Sequence, residues 1–409
     1  MVEIPTHWYN VIPFLRDELG LDIPPLRDPK TNNKMSLADL RTILPNELAK
    51  QELGVGEYST KSLICIPHPI RKLYAKWRPT PVIRAHKLEK CLSLNTVRIF
   101  YKREDKSPIN SYKLNSSFAQ AYYAKKEGVT EFIGDTGPGN WGLGMALACK
   151  TFNLSCTIYM ERKNYERHLD KVRHMKQLGA TVVPIYTKKG TIAASLSKAI
   201  QHVSKNKTNK LSLGCLTVYS ALHNTVIGQE LKLQLRKLKI EPDALVGVVG
   251  GGSSFSGFVF PLMKNYLGKT DFIAVESAEV PSFTRGKYRY ENPDLLGLMP
   301  RTKMYTLGNQ FEPRKLGASG LNYHGKNHLL SLLVHEKYIK AVSFNPKEVD
   351  YLQRLFYEVE GIRPAAESCY AIKGAIEKAK QWDGQDKTIV LSLTGNAEPL
   401  GFQAFPLRA

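Results

Sequence analysis

No two of the six cysteines (Cys65, Cys91, Cys149, Cys156, Cys215, Cys369) stand in a C-x-x-C pair. That absence excludes zinc-ribbon spacing and thiol-redox motifs. Most of the six sit in apolar stretches, which predicts buried free thiols in a reducing, cytoplasmic setting and no metal site. Acidic residues are also scarce, 37 against 58 lysines and arginines, for a formal net charge of +21. The basic residues are nevertheless scattered (Lys188-Lys189, Lys205, Lys207, Lys210, Arg236-Lys237) and form no long tract. With no zinc-finger spacing and no RNP-type motif, the charge predicts a lysine-rich surface and not a nucleic-acid partner. The N-terminal residues lack the basic-then-apolar plan of a signal peptide. Residues 244–263 are free of charge over a membrane-spanning length, but Gly250-Gly-Gly-Ser-Ser-Phe-Ser-Gly257 lies in their middle. Such a segment suits a loop, so no membrane span is expected.

What is present is an ordinary globular composition, 43% apolar and 23% charged over 409 residues, enough for more than one unit and a large core. Residues 1–60 are proline-rich and predict an extension wrapped on the body, with a short helix over 37–43. From residue 97 strands and helices alternate. Strands are expected over 97–102, 131–134, 155–160 and 181–185, and helices over 115–126, 141–152, 167–178 and 191–203, before a polar linker at 205–209. A second unit repeats the pattern: helix 225–237, strand 244–249, helix 255–266, strand 271–276, helices 348–360 and 365–380, and strand 388–393. Residues 280–330 are too long for a simple connection, and such stretches are usually functional. The alternation implies parallel sheets covered by helices, with a cleft at the strand C-terminal ends.

Four places on this frame carry chemistry. Lys113, in Pro108-Ile-Asn-Ser-Tyr-Lys-Leu-Asn115, falls where a strand-derived loop enters a helix. A semi-buried lysine there, with a lowered pKa, is suited to holding an aldehyde as a Schiff base. Val248-Val-Gly-Gly-Gly-Ser-Ser254 joins a buried strand to a helix. Its glycines allow close backbone approach, and its N–H groups form an anion nest suited to phosphate. It is neither a P-loop nor a dinucleotide fingerprint. Gly134-Asp-Thr-Gly-Pro-Gly-Asn-Trp-Gly142 offers further N–H donors, the Thr136 hydroxyl and the Asp135 carboxyl, which suits an α-carboxylate substrate that needs proton transfer. Finally, Leu391-Ser-Leu-Thr-Gly-Asn396 ends a buried strand in a hydroxyl able to face a neutral pyridine nitrogen.

These four pieces occur in this order in fold-type II pyridoxal-phosphate enzymes. More closely, the chain resembles the tryptophan synthase β subunit family, in its second, longer class. The shared wording includes Trp77-Arg-Pro-Thr-Pro81, Gln120-Ala-Tyr-Tyr-Ala-Lys-Lys-Glu-Gly128, Thr225-Val-Ile-Gly228, Phe272-Ile-Ala-Val-Glu276, Gly286-Lys-Tyr-Arg-Tyr290, Lys303-Met-Tyr-Thr-Leu-Gly308, Leu321-Asn-Tyr-His-Gly325 and the run Glu360-Gly-Ile-Arg-Pro-Ala-Ala-Glu367. The resemblance implies two three-layer α/β domains with the cofactor between them. Residues 1–60 would be an extension, 61–210 the first domain (part of 79–111 crossing to the other) and 211–409 the second, with the phosphate cup.

The same resemblance implies roles. Lys113 would hold pyridoxal 5'-phosphate and move the Cα proton. Asn115, Gly250, Gly251, Gly252, Ser253, Ser254, Glu360 and Thr394 would bind the cofactor, Glu360 near its ring and Thr394 at the pyridine nitrogen. Thr136, Gly137, Gly139, Asn140 and Trp141 would take the substrate carboxylate, with Asp135 as the catalytic acid. A monovalent cation could accompany the cofactor. The implied reaction is β-replacement on L-serine or O-phospho-L-serine with indole, in a homodimer that does not require an α subunit. Another nucleophile or donor on the same fold, or a non-catalytic paralogue that binds the cofactor, are the alternatives.

This chain departs from the family where substrate is handled. Asp135 replaces a glutamate, Pro138 an alanine, Asn140 a glutamine and Tyr112 a histidine. Ile-Asn-Ser stands for Thr-Gly-Ser before Tyr112, and Asn396-Ala-Glu-Pro replaces a glycine- and histidine-containing tail. Arg167 matches a gating arginine, but its aspartate partner aligns with Asn322, so the family's closing ion pair cannot form between them. The changes predict altered specificity on a retained cofactor site.

Overall fold

The computed structural model describes residues 3–186, 191–313 and 317–400; the Lys188-Lys189 pair lies outside them. Apolar runs with few side-chain charges build two parallel-rich sheets, because a strand buried on both faces must be apolar throughout. In the larger sheet the order is Lys340–Phe344, Asp271–Ser277, Ala244–Val248, Thr388–Leu393, Arg98–Arg103, Val82–Arg84. All its pairings are parallel except the last, where Val82 faces Lys102 in an antiparallel edge. Central Ala244–Val248 has no residue more than 5% exposed apart from its glycine, which is also buried. The smaller sheet runs Thr181–Ile185, Ser155–Glu161, Glu131–Thr136, Asn209–Ser212, all parallel.

Strands 82–84 and 98–103 thus join the sheet made by residues 244–393, and the chain then crosses to the smaller sheet. The crossing segment carries Lys113 into helix Leu114–Lys126. Helix Asn140–Phe152 follows strand Glu131–Thr136, and helix Ser253–Tyr266 follows strand Ala244–Val248. Both helices are entered through a left-handed glycine, Gly139 at φ +94° and Gly252 at φ +109°, a conformation that a Cβ makes costly. The C-terminal ends of both sheets therefore point their loops into one cleft.

Several expected elements differ in detail. The helix expected over 167–178 is two, Arg162–Arg167 and Leu169–Gln177, broken at His168, whose backbone is non-helical (φ −120°, ψ 46°). The polar linker at 205–209 leads into a strand, Asn209–Ser212, that its lysines and asparagines disguised. The helix ending at Glu360 starts only at Leu352, because Pro346–Glu348 forms a separate turn. The long 280–330 stretch contains the hairpin Lys287–Glu291 with Thr302–Thr306 and opens helix His328–His335.

The N-terminal stretch is more than a wrapping. Strand His7–Tyr9 pairs with Leu63–Cys65, Trp8 is fully buried against the His223 ring at 4.6 Å, and Tyr9 N–H donates to Thr225 Oγ1 at 2.7 Å. Short helices Leu37–Ile43 and Asn46–Leu53 then bring Leu40, Leu44 and Glu52 to the cleft.

Candidate active site

The cleft between the sheets is a cavity into which the strand-end loops turn their key residues. Lys113, Asp135, Thr136, Gly137, Asn140 and Trp141 line it from the smaller sheet's side. Gly250, Gly251, Gly252, Ser254 and Thr394 line it from the larger sheet's side. Eleven of the residues singled out from sequence thus meet in one space. Leu26, Leu40, Leu44, Ile192, Leu196 and Met299 form an apolar part of the wall. None of these six carries a motif, which is why sequence reasoning missed them.

The glycine loop fits a phosphate. A Cβ on Gly250 would sit 2.5 Å from Gly320 O, and one on Gly251 would sit 2.7 Å from the Cys215 side chain, so only glycine can follow this path. The loop ends at the N-terminus of a helix of 14 residues, where unsatisfied N–H groups favour an anion. Ser254 Oγ is buried in this cradle and has no hydrogen-bond partner among the described residues, which fits a donor to an anion. Ser253, expected to share the role, turns its hydroxyl toward Gly214 O (3.3 Å) and the Tyr112 phenol (3.4 Å).

Lys113 reaches into the cavity and donates to Gly214 O at 2.6 Å. Burial disfavours its ammonium, but Tyr112, Cys215 and Asp135 outweigh burial and hold its pKa above the ordinary lysine value. The lowering expected from sequence is therefore not found. The amine must pass a proton on before it can act as a nucleophile. Asp135 is a suitable neighbour for such traffic: burial pushes its carboxyl up to about 7, and the nearby Lys113 only partly opposes this. A carboxyl poised there exchanges protons near neutrality. Cys215 lies close to both and is kept as a thiol by burial.

The substrate-side loop is held from behind. Lys171 Nζ donates to Asn140 Oδ1 at 2.7 Å and to Pro138 O at 3.2 Å. An ammonium is a donor only, so it fixes the oxygen of the Asn140 amide on itself and leaves the NH₂ of this cavity-lining residue uncommitted to Lys171. Thr136 Oγ1 accepts from Gly142 N–H at 3.1 Å, and Trp141 Nε1–H is buried without a partner among the described residues. Gly139 does not line the cavity; it supplies the positive-φ turn, packed on the Lys171 stem.

Two cofactor expectations are corrected. Glu360 is not at the cavity: its carboxylate accepts from Leu88 N–H (2.9 Å) and the Tyr101 hydroxyl (3.2 Å), because it closes helix Leu352–Glu360 on the sheet's far side. Glu367, at the start of helix Ala366–Gln381, lines the cavity instead and accepts from Gly320 N–H at 2.8 Å. Both glutamates were visible in Glu360-Gly-Ile-Arg-Pro-Ala-Ala-Glu367, and the helix start at Ala366 was the signal that separates them. Asn115 likewise lies behind the cavity, bonded to Arg78, Glu104 and Asn224. Thr394 lines the cavity, its hydroxyl 3.1 Å from that of Ser368.

A buried lysine, a glycine loop fitted to an anion and a strand-end hydroxyl meet across one cleft, and the family described as pyridoxal-phosphate dependent enzyme matches residues 74–395. Threonine deaminase isoform 2 from Solanum lycopersicum shares the fold at TM-score 0.61 and 20% identity, over 79% of this chain and 85% of its own. Serine racemase from Dictyostelium discoideum does so at TM-score 0.62 and 16% identity, over 81% and 97%. Tryptophan synthase beta chain 2 of Pyrococcus furiosus is 38% identical over 414 residues, 96% of this chain and 90% of that one. Its counterpart in Thermotoga maritima is 38% identical over 413 residues, 96% of each. The chain belongs to the tryptophan synthase β chain family of fold-type II pyridoxal-phosphate dependent enzymes.

Proposed function

We propose that the protein catalyses β-replacement on an L-serine-type donor, with O-phospho-L-serine preferred to L-serine and indole as the nucleophile, giving L-tryptophan. Pyridoxal phosphate, when bound, supplies the aldehyde and the electron sink that acidify the donor's Cα–H. In this reading Lys113 takes up the Cα proton, and the loop from Thr136 to Trp141 receives the carboxylate through its N–H groups and the Asn140 amide. Asp135 donates a proton to the departing oxygen.

What supports the reading is the presence of Lys113 and Asp135 in one cavity, part of whose wall is the apolar patch of Leu26, Leu40, Leu44, Ile192, Leu196 and Met299. An apolar wall favours a flat, weakly polar nucleophile over water or a thiolate. The donor preference rests on Asp135. One methylene shorter than the family's glutamate, it withdraws the acid by over ~1 Å, and such a displacement can cost ~10²-fold in rate. Phosphate is a weaker base than hydroxide and leaves with less protonation. A homodimer acting without an α subunit, in the cytoplasm, completes the proposal. Turnover to tryptophan with each donor tests it: O-phosphoserine should give the higher kcat/KM, and a clear preference for serine overturns the donor assignment.

A further inference from the structure

Behind the glycine loop lies a second lysine that the reading above does not use. Lys326 is 1% exposed, with its side chain wholly buried, and it lines the same cavity as Lys113. Its ammonium donates to Val249 O at 3.3 Å and lies 3.4 Å from Glu276 Oε2. The next residue, Asn327, donates its N–H to Gly251 O at 2.8 Å. Two consecutive residues thus hold the carbonyls on either side of Gly250, so those oxygens are engaged behind the loop while its N–H groups remain for the cavity.

A purely structural ion pair accounts poorly for this lysine. Glu276 already accepts from Phe283 N–H (3.1 Å), Thr284 N–H (2.9 Å) and Thr284 Oγ1 (2.9 Å). Its carboxylate is therefore satisfied largely without Lys326, and burying an extra ammonium is costly unless the charge is used. The use is at hand, since Val249 leads directly into the nest that a dianion would occupy.

We infer that Lys326 is a positioning residue for the cofactor's phosphate: a tethered internal cation that pins the Val249 carbonyl and places fixed positive charge behind the Gly250–Gly252 loop. A free monovalent ion held by carbonyl and carboxylate oxygens would do the same work. Here the ion is covalently attached. The inference rests on the reading of this loop as the phosphate seat.

The test compares cofactor retention by the holoenzyme with Lys326→Met and Lys326→Arg variants, using pyridoxal phosphate and phosphate-free pyridoxal as probes. Lys326→Met should release pyridoxal phosphate roughly tenfold faster or more, the scale of a lost charged hydrogen bond. Its hold on pyridoxal should be unchanged. Ammonium or potassium chloride should slow the release from Lys326→Met relative to choline chloride at equal ionic strength, and should not affect the native protein. Lys326→Arg, which keeps the charge, should retain the cofactor. Equal weakening for both probes, no rescue by small cations, or an arginine variant as leaky as the methionine one would overturn the inference. Should the native protein hold pyridoxal as tightly as pyridoxal phosphate, the phosphate-seat reading itself fails, a different outcome from any of these.

Discussion

At the scale of single residues, the distinctive chemistry belongs to Asp135. Strand Glu131–Thr136 carries it to the cavity, where burial holds its carboxyl protonated up to about 7. In the proposed role of proton donor to the leaving group, it is competent below that value and spent above it. With serine as donor, kcat should fall as pH rises through about 7. The fall should be shallower with O-phosphoserine, whose leaving group needs less help. Asp135→Asn should abolish the limb, and a serine profile flat from pH 6 to 8 would contradict the assignment. Lys171 acts one shell further out by orienting the Asn140 amide. Lys171→Met should raise KM for either amino-acid donor several-fold while moving kcat much less, since the reacting groups are untouched. Steady-state kinetics with saturating indole measures the split. A matched fall in kcat with unchanged KM would contradict it.

At the scale of elements, the lysine-bearing helix is anchored by buried charge. Arg78 is bonded to both Glu104 and Glu230, and Lys102 also meets Glu230; all four side chains are at most 1% exposed. Asn115, two residues beyond Lys113, accepts from Arg78 Nε at 3.3 Å, so this network fixes the first turn of helix Leu114–Lys126. Burial alone would raise the Glu230 pKa, but Arg78 and Lys102 overcome it and hold the carboxylate below its ordinary value. Its stabilising contribution is therefore present at neutral pH and lost as pH falls through that depressed value. Glu230→Gln leaves two buried cations short of a partner and should cost roughly 3–5 kcal/mol in urea unfolding at neutral pH. A loss under about 1 kcal/mol would contradict this role. None of this network announced itself in the sequence, because its members are separated by up to 152 residues and look like ordinary charges. The strand–glycine–helix transitions were legible because they are local: a purely apolar run, a glycine at the turn, a helix behind it. Asn209–Ser212 was not, since its place in the sheet is dictated by Glu131–Thr136 beside it and not by its own residues.

At the scale of the whole molecule, two parallel-rich sheets direct their C-terminal ends into one cleft, and the N-terminal stretch closes part of it. The glycine loop at the cavity was readable as a motif, because close approach of backbone to an anion demands glycine in a run. The apolar half was not, because Leu40, Leu44, Ile192 and Leu196 look like any core residues until the fold brings them together. That Glu367 and not Glu360 lines the cavity has the same origin: Glu360 closes one helix and Glu367 opens the next, a boundary only the fold sets. The central claim, that this cavity performs β-replacement, is tested most directly by the visible absorption of the holoenzyme during titration with O-phosphoserine and then indole, with Lys113→Ala as control. The account predicts a cofactor band that shifts on donor addition, returns on indole addition with tryptophan formed in step, and is absent or unresponsive in Lys113→Ala. A cofactor band that O-phosphoserine does not perturb, or one that shifts without any tryptophan following indole, would contradict it.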